Sequence, residues 1–319
     1  MRGPATLLVP FLVVAAACST SGGSTPASSS AATAGPAATG TGMPMTGASA
    51  SSPGQSSGLP SPDAPLPVGA VALAEDLAST TTALRSAVER WLGDGSTDAW
   101  PPPENVQLLG LHQQRLYRTL AAAPALARNV LGRLPGNVRG EARDDVAAGA
   151  ALLSLARPVS DPGALRTRPP EPAAVLLGYY REAQRRFGVD WQLLAAVNFI
   201  ESKFGRVVSP SWAGAQGPMQ FIPSTWATYG MGGDVRDPRD AIMGAANYLR
   251  ASGALQDEWR AVYAYNPVPS YVSAVLHYAK RMRQDPRAYY AYYTWQVYVL
   301  TKHGAVRLTG PGVKAPGSG

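Results

Sequence analysis

From residue 73 to residue 278 the apolar side chains recur three and four positions apart, and glycine and proline cut the runs at intervals. That spacing lines them along one stripe of an α-helix and does not suit a strand. The chain is therefore expected to fold mainly as packed helices. Leu73, Leu77, Leu84, Val88 and Trp91 mark a first helix, stopped by Gly93-Asp94-Gly95. Leu109, Leu116 and Leu120 mark a second, and a third runs through residues 146–155 after Gly136 and Gly140. Residues 68–165 read as a helical packing module in which nothing has a catalytic spacing. Pro158, Pro162, Pro169, Pro170 and Pro172 then form a boundary or a strap.

From residue 171 the pattern sharpens. Val175, Tyr179, Ala183 and Phe187 make one helix face, closed by Gly188. Asp190 is placed to cap the next helix, with Trp191 in its first turn. Leu193, Leu194, Val197 and Ile200 predict that this helix is largely buried, and Gly205 ends it. Pro223 opens a short helix that Gly230 closes, and Asp237-Pro238-Arg239-Asp240 starts another through Ile242, Ala245, Ala246 and Leu249. Trp259, Val262 and Tyr263 predict a helix ending at Tyr265-Asn266-Pro267, and Tyr271, Val275 and Tyr278 a last one. Residues 296–299 and 305–308 alternate, with Lys302-His303-Gly304 between them, which predicts a small β-hairpin in the C-terminal segment 286–319.

The N-terminal part reads differently. Residues 1–18 have the form of an export signal: Arg2, an apolar run over residues 7–17, then Ala15-Ala16-Ala17-Cys18. The run is too short to span a bilayer as a stable helix. Small residues before a cysteine resemble a bacterial lipobox, in which that cysteine is lipidated and anchors the chain to the membrane. The alternative is plain cleavage near Ala17. Cys18 is the sole cysteine of the 319 residues, so no intrachain disulfide and no thiolate metal cluster can form. Residues 19–67 are Ser, Thr, Gly, Ala and Pro, uncharged before Asp63, and are expected to be a disordered tether. A flexible chain of that length spans roughly 35–40 Å. His112, His277 and His303 lack metal-ligand spacing, and no metal or cofactor is expected. The net charge of +7 favours anionic surroundings. Its arginines are spread thinly, without the basic block or basic-aromatic interleaving of a nucleic-acid binder.

Glu201 is the residue with the clearest chemical potential. It sits near the C-terminal end of the apolar helix, where the partial negative charge of the helix end and desolvation both favour its protonated form. Such a carboxyl can donate a proton at neutral pH. The loop after it, ESKFGRVVSPSWAGAQGPMQ over residues 201–220, brings Gly214 and Gly217 for close backbone approach. Ser211, Gln216 and Gln220 add neutral hydrogen-bonding groups, as do Tyr265 and Asn266, and Trp212, Phe221, Trp226 and Tyr229 add aromatic faces. Neutral polar groups with aromatics suit an uncharged sugar. Glycosidases usually pair two carboxylates. Asp234, Asp237, Asp240 and Glu258 are the candidates for a second, with Asp237 and Asp240 better explained as helix-cap residues.

Three blocks in order carry a family likeness: Glu201-Ser202, then Ser211-Trp212-Ala213-Gly214-Ala215-Gln216-Gly217-Pro218-Met219-Gln220-Phe221, then Ala264-Tyr265-Asn266 with Tyr271. Over residues 171–285 the chain resembles lytic transglycosylases of the membrane-bound B-like type, related in fold to goose-type lysozyme. The resemblance implies a lysozyme-like helical catalytic domain that acts on peptidoglycan glycan strands and needs no cofactor. It implies that Glu201 serves as acid and then base, closing a 1,6-anhydro ring on muramic acid, which dispenses with a second carboxylate. Ser202, Ser211, Gln216, Met219, Gln220, Tyr265, Asn266 and Tyr271 match substrate-site positions. Pro267 and Pro269 depart from the family's loop. A hydrolytic muramidase and a non-catalytic wall-binding scaffold are the alternatives. The expected location is the cell envelope, at the outer face of the cytoplasmic membrane or in the periplasmic space, held by a lipid on Cys18 or else secreted. Residues 68–165 are a possible docking module for a protein partner.

Overall fold

The computed structural model describes residues 58–313, so the expected export signal, Cys18 and most of the expected tether lie outside the described residues. The described residues fold mainly as α-helix, with one two-stranded antiparallel sheet near the C-terminus. The first four helices are α1 (Ala70–Gly93), α2 (Glu104–Ala122), α3 (Pro124–Arg133) and α4 (Gly136–Leu153). A proline-rich strap leads to α5 (Ala173–Phe187), α6 (Trp191–Ser202), α7 (Pro223–Tyr229), α8 (Pro238–Ala251), α9 (Glu258–Tyr265), α10 (Pro269–Gln284) and α11 (Arg287–Tyr293). Strands β1 (Tyr298–Thr301) and β2 (Gly304–Arg307) pair with Tyr298 opposite Arg307 and Thr301 opposite Gly304.

One continuous apolar core runs through α1–α6 and α8–α11. Residues 68–165 are therefore packed into the same body as the later helices. The main joint is α4 against α10. It holds apolar side chains together with Arg281–Glu141 at 2.5 Å and Lys280–Asp144 at 2.8 Å, and beside it Tyr292 of α11 donates its hydroxyl to Asp145 of α4 at 2.5 Å. The end of the expected tether is also held: Leu59 and Leu66 pack on the core, and Asp63 pairs with Arg307 at 3.0 Å. The strap pairs with the turn after α6, Arg168 N donating to Arg206 O at 2.9 Å and Val208 N to Arg166 O at 3.1 Å.

Helix α6 lies at the centre. Leu193, Leu194, Val197, Phe199 and Ile200 are all buried, each contributing about 1.5–3 kcal/mol on area grounds. Several local expectations shift. Asp190 precedes α6 but makes no side-chain cap, and its carboxylate pairs with Arg283 at 3.1 Å instead. The buried face of α5 is Ala173, Leu176, Leu177, Tyr180, Ala183 and Phe187, turned away from Val175 and Tyr179. On α9, Val262 faces inward while Trp259 and Tyr263 are exposed and stacked on each other. Helices α3 and α11 were not expected. The start of α8 is as expected, with the Asp237 carboxylate accepting from Asp240 N at 2.9 Å.

Candidate active site

Glu201 occupies the last turn of α6 and is 4% exposed. Its helix does not run on to Gly205. It stops at Ser202, and Lys203, Phe204 and Gly205 follow with φ of 53°, 61° and 83°. Three left-handed residues in a row reverse the chain, and two of them are not glycine, so the turn must be held from outside. Two groups do this. Ser202 Oγ donates to Pro218 O at 2.6 Å and accepts from Gly205 N at 2.8 Å. The buried Arg206 guanidinium donates to Lys203 O at 3.0 Å and to Tyr293 O at 2.7 Å. Ser202, expected to touch substrate, thus pins the loop to the helix, and Arg206 was not singled out at all.

The loop then folds back across the end of α6. Ser211 Oγ accepts from Ala215 N at 3.0 Å, closing a turn that leaves the Trp212 side chain exposed. Gln216 and Phe221 exchange both backbone hydrogen bonds, at 2.9 and 2.8 Å. Between them Gly217 has φ +74°, and a Cβ there would lie 1.8 Å from Val235 O. Only glycine fits that approach. Met219 is fully buried, its side chain packed in the apolar core. Its carbonyl accepts from Tyr265 Oη at 2.6 Å, which ties the loop to α9. Phe221 is buried in the core, while Trp226 and Tyr229 are half-buried.

Tyr271, in the first turn of α10, donates its hydroxyl to Glu201 Oε1 at 2.6 Å. Glu201 Oε2 is buried without a partner. Burial raises the Glu201 carboxyl from the ordinary carboxylate range to about 8, against the opposing pull of the Tyr271 hydrogen bond and the Lys203 charge. Burial also pushes Tyr265 and Tyr271 well above the usual phenol range, with Glu201 adding to both. These three side chains, from α6, α9 and α10, act on one another electrostatically. Two nearby segments carry more orphaned polar atoms: Gln220 Oε1 in the loop tied to Tyr265, and both Nδ2 and Oδ1 of Asn266, the residue after Tyr265. Unpaired buried polar atoms are costly, which makes their grouping on elements around one acid chemically informative. Gln220 is held in a left-handed conformation, φ +50°, by its own Nε2 donating to Gly217 O at 2.9 Å.

Lys203, two residues after the acid, is also buried, and its charge acts to lower the Glu201 carboxyl. The four candidate second carboxylates are all engaged elsewhere. Asp237 caps α8, Asp240 accepts from Asp234 N at 3.0 Å, Asp234 accepts from Arg236 N at 2.8 Å, and Glu258 pairs with Arg283. None of them acts on the Glu201 carboxyl. Among the described residues no three His, Cys, Asp or Glu side chains gather as a metal would require. The arrangement is a carboxyl that burial pushes towards its protonated form, hydrogen-bonded on one oxygen and without a partner on the other.

Comparison with known proteins agrees with this geometry. The chain is 30% identical over 151 residues to a protein named membrane-bound lytic murein transglycosylase F 1 from Alkalilimnicola ehrlichii, covering 40% of this chain and 29% of that one. It is 31% identical over 130 residues to membrane-bound lytic murein transglycosylase F from Thiobacillus denitrificans, covering 38% and 27%. The chain thus spans less than a third of the length of these relatives. No solved structure matches it. No helix among the described residues is long and apolar enough to cross a membrane. Residues 178–287, which run from α5 to the start of α11 and contain Glu201, Gln220, Tyr265, Asn266 and Tyr271, match the family model of the transglycosylase SLT domain.

Proposed function

We propose that the chain is an exported lytic transglycosylase that cuts peptidoglycan between N-acetylmuramic acid and N-acetylglucosamine. The observation that carries the reading is Glu201, a buried, protonated carboxyl with one oxygen held by Tyr271 and the other unpartnered. In the first step the Glu201 proton passes to the glycosidic oxygen as the bond from the muramic C1 to that oxygen breaks. The carboxylate so formed then takes the proton of the muramic C6 hydroxyl. That oxygen bonds to C1 and closes a 1,6-anhydro ring. Glu201 ends protonated, as it began, and no water is consumed.

The surrounding groups fit these steps. The Tyr271 hydroxyl bonds more strongly to a carboxylate than to a carboxyl, so it favours the state in which the proton has left. Asn266 and Gln220 offer unpartnered amide atoms to the sugar's own amide and hydroxyl groups. A second carboxylate is not required, because the substrate supplies the nucleophile. The relatives are named membrane-bound, and a lipid on Cys18 would hold this chain at the membrane with its tether reaching into the wall. Because residues 68–165 share the core, recruitment of a protein partner through them is tested by surface substitutions on α3 and not by deletion.

The test is mass spectrometry of fragments released from purified peptidoglycan by the full chain. Anhydro-muramic ends, lost in Glu201→Gln, support the proposal. Reducing muramic ends would make the enzyme a muramidase, and cleavage that persists in Glu201→Gln would remove Glu201 from the chemistry.

A further inference from the structure

The strap before α5 lies outside the stretch that matches the family model, yet it folds against the loop that follows the acid. Thr167 pairs with Val207 in an antiparallel bridge. Val207 N in turn donates to the carbonyl of Ser202, the residue after Glu201, at 3.0 Å. Between strap and loop lies an open cleft of about 540 Å³, walled by Val159, Asp161, Leu165, Arg166, Ser209 and Pro210. Ligand pockets commonly measure about 300–1,000 Å³. The walls are fixed on both sides. Val159 N donates to Leu300 O at 2.8 Å, Val208 N to Arg166 O at 3.1 Å, and Arg166 N to Ser209 Oγ at 2.8 Å. Val159 and Leu165 also pack on a small core of Val207, Val297 and Val299, separate from the main one. Two opposite charges line the cleft, Arg166 and Asp161, both exposed. Asp161 Oδ1 accepts from Gly163 N at 2.8 Å, and the Arg166 guanidinium has no ion pair among the described residues.

We propose that this cleft is a subsite for the peptide stem of uncrosslinked peptidoglycan, with Arg166 taking a stem carboxylate and Asp161 the amine of the stem's diamino acid. The inference rests on the reading of the chain as an enzyme of peptidoglycan. A neutral sugar has no use for either charge, whereas a free stem carries both. A guanidinium suits a carboxylate because its planar fork can donate two parallel hydrogen bonds. The reach is sufficient. Ser209 follows Val207 by two residues, at most about 7 Å of chain, and a stem of about four residues extends about 13 Å. A stem on a muramic acid held at Glu201 therefore spans to the cleft, and the strap becomes an element of specificity that favours stem-bearing strands.

The experiment titrates a stem peptide, cut from uncrosslinked peptidoglycan by an amidase and acetylated at its N-terminus, into the full chain, with binding read by NMR. The wild type is expected to bind it, and Arg166→Gln and Asp161→Asn each to bind it about tenfold more weakly. The Arg166 backbone and not its guanidinium anchors the wall, so Arg166→Gln keeps the fold, and Asp161→Asn gives an independent reading. No binding by the wild type at millimolar peptide, or equal binding by Arg166→Gln, overturns the proposal. Fragment release is then compared on strands with their stems and on strands stripped of them. The wild type is expected to favour stem-bearing strands, through KM, and Arg166→Gln to lose that preference. A loss of the same size on both substrates would assign the cleft to sugar and overturn the proposal. A chain that binds the stem peptide as stated but releases nothing from either substrate overturns the enzymatic reading and not the cleft.

Discussion

Replacing Glu201 by glutamine should stabilise the protein at alkaline pH and leave it unchanged at acid pH. The folded carboxyl titrates at about 8, against 4.5 for the free group. Below about pH 4.5 the group is neutral in both the folded and the unfolded chain and contributes no difference. As pH rises from there, the unfolded chain ionises and the folded one does not, so the wild type loses stability until the folded group also ionises near pH 8. The shift corresponds to at most about 4–5 kcal/mol, at about 1.4 kcal/mol per unit. Relaxation of the surroundings and entry of water reduce this further. Glutamine does not titrate, is nearly isosteric and still accepts the Tyr271 hydroxyl. Urea unfolding of both proteins at a series of pH values should therefore give a stability difference near zero at pH 4.5 that grows to a plateau by about pH 8. A difference that stays flat across the range would mean that the carboxylate is solvated or fully paired, and the argument from burial would be refuted.

Tyr271→Phe removes the one side-chain hydrogen bond that the Glu201 carboxyl receives among the described residues, so fragment release should fall at least tenfold and the alkaline limb of its pH profile should move to higher pH, as pH–rate measurements would record. Gly217→Ala sets a Cβ 1.8 Å from Val235 O at a left-handed position; thermal unfolding should register a loss of about 2–4 kcal/mol. Asn266→Leu should raise KM for glycan without lowering the melting temperature, because both polar atoms of Asn266 lack partners and an apolar replacement relieves their desolvation.

The apolar helix that carries Glu201 was legible, because Leu193, Leu194, Val197 and Ile200 repeat at helical spacing and leave little room for solvent at its end. The hairpin and the start of α8 were legible for similar local reasons: strand alternation in one, and an Asp-Pro cap in the other. Helix α3 is short and contains Gly132, and α11 is a run of tyrosines with no polar face, so neither carries a period. What Ser202, Met219 and Lys203 touch was not legible. Each is decided by the fold-back of the loop over α6, a long-range contact that places Pro218 O on Ser202 and buries Met219. The union of residues 68–165 with the later helices is of the same kind. An amphipathic face states that it needs a partner, and only the assembled core says that α4 meets α10.

The central claim is that a single buried carboxyl hands its proton to the glycosidic bridge and the substrate's own hydroxyl closes the ring. Digestion of purified peptidoglycan by the full chain in water enriched in heavy oxygen tests it most directly. The account predicts muramic ends lighter by one water and free of the label. Labelled reducing ends would contradict it.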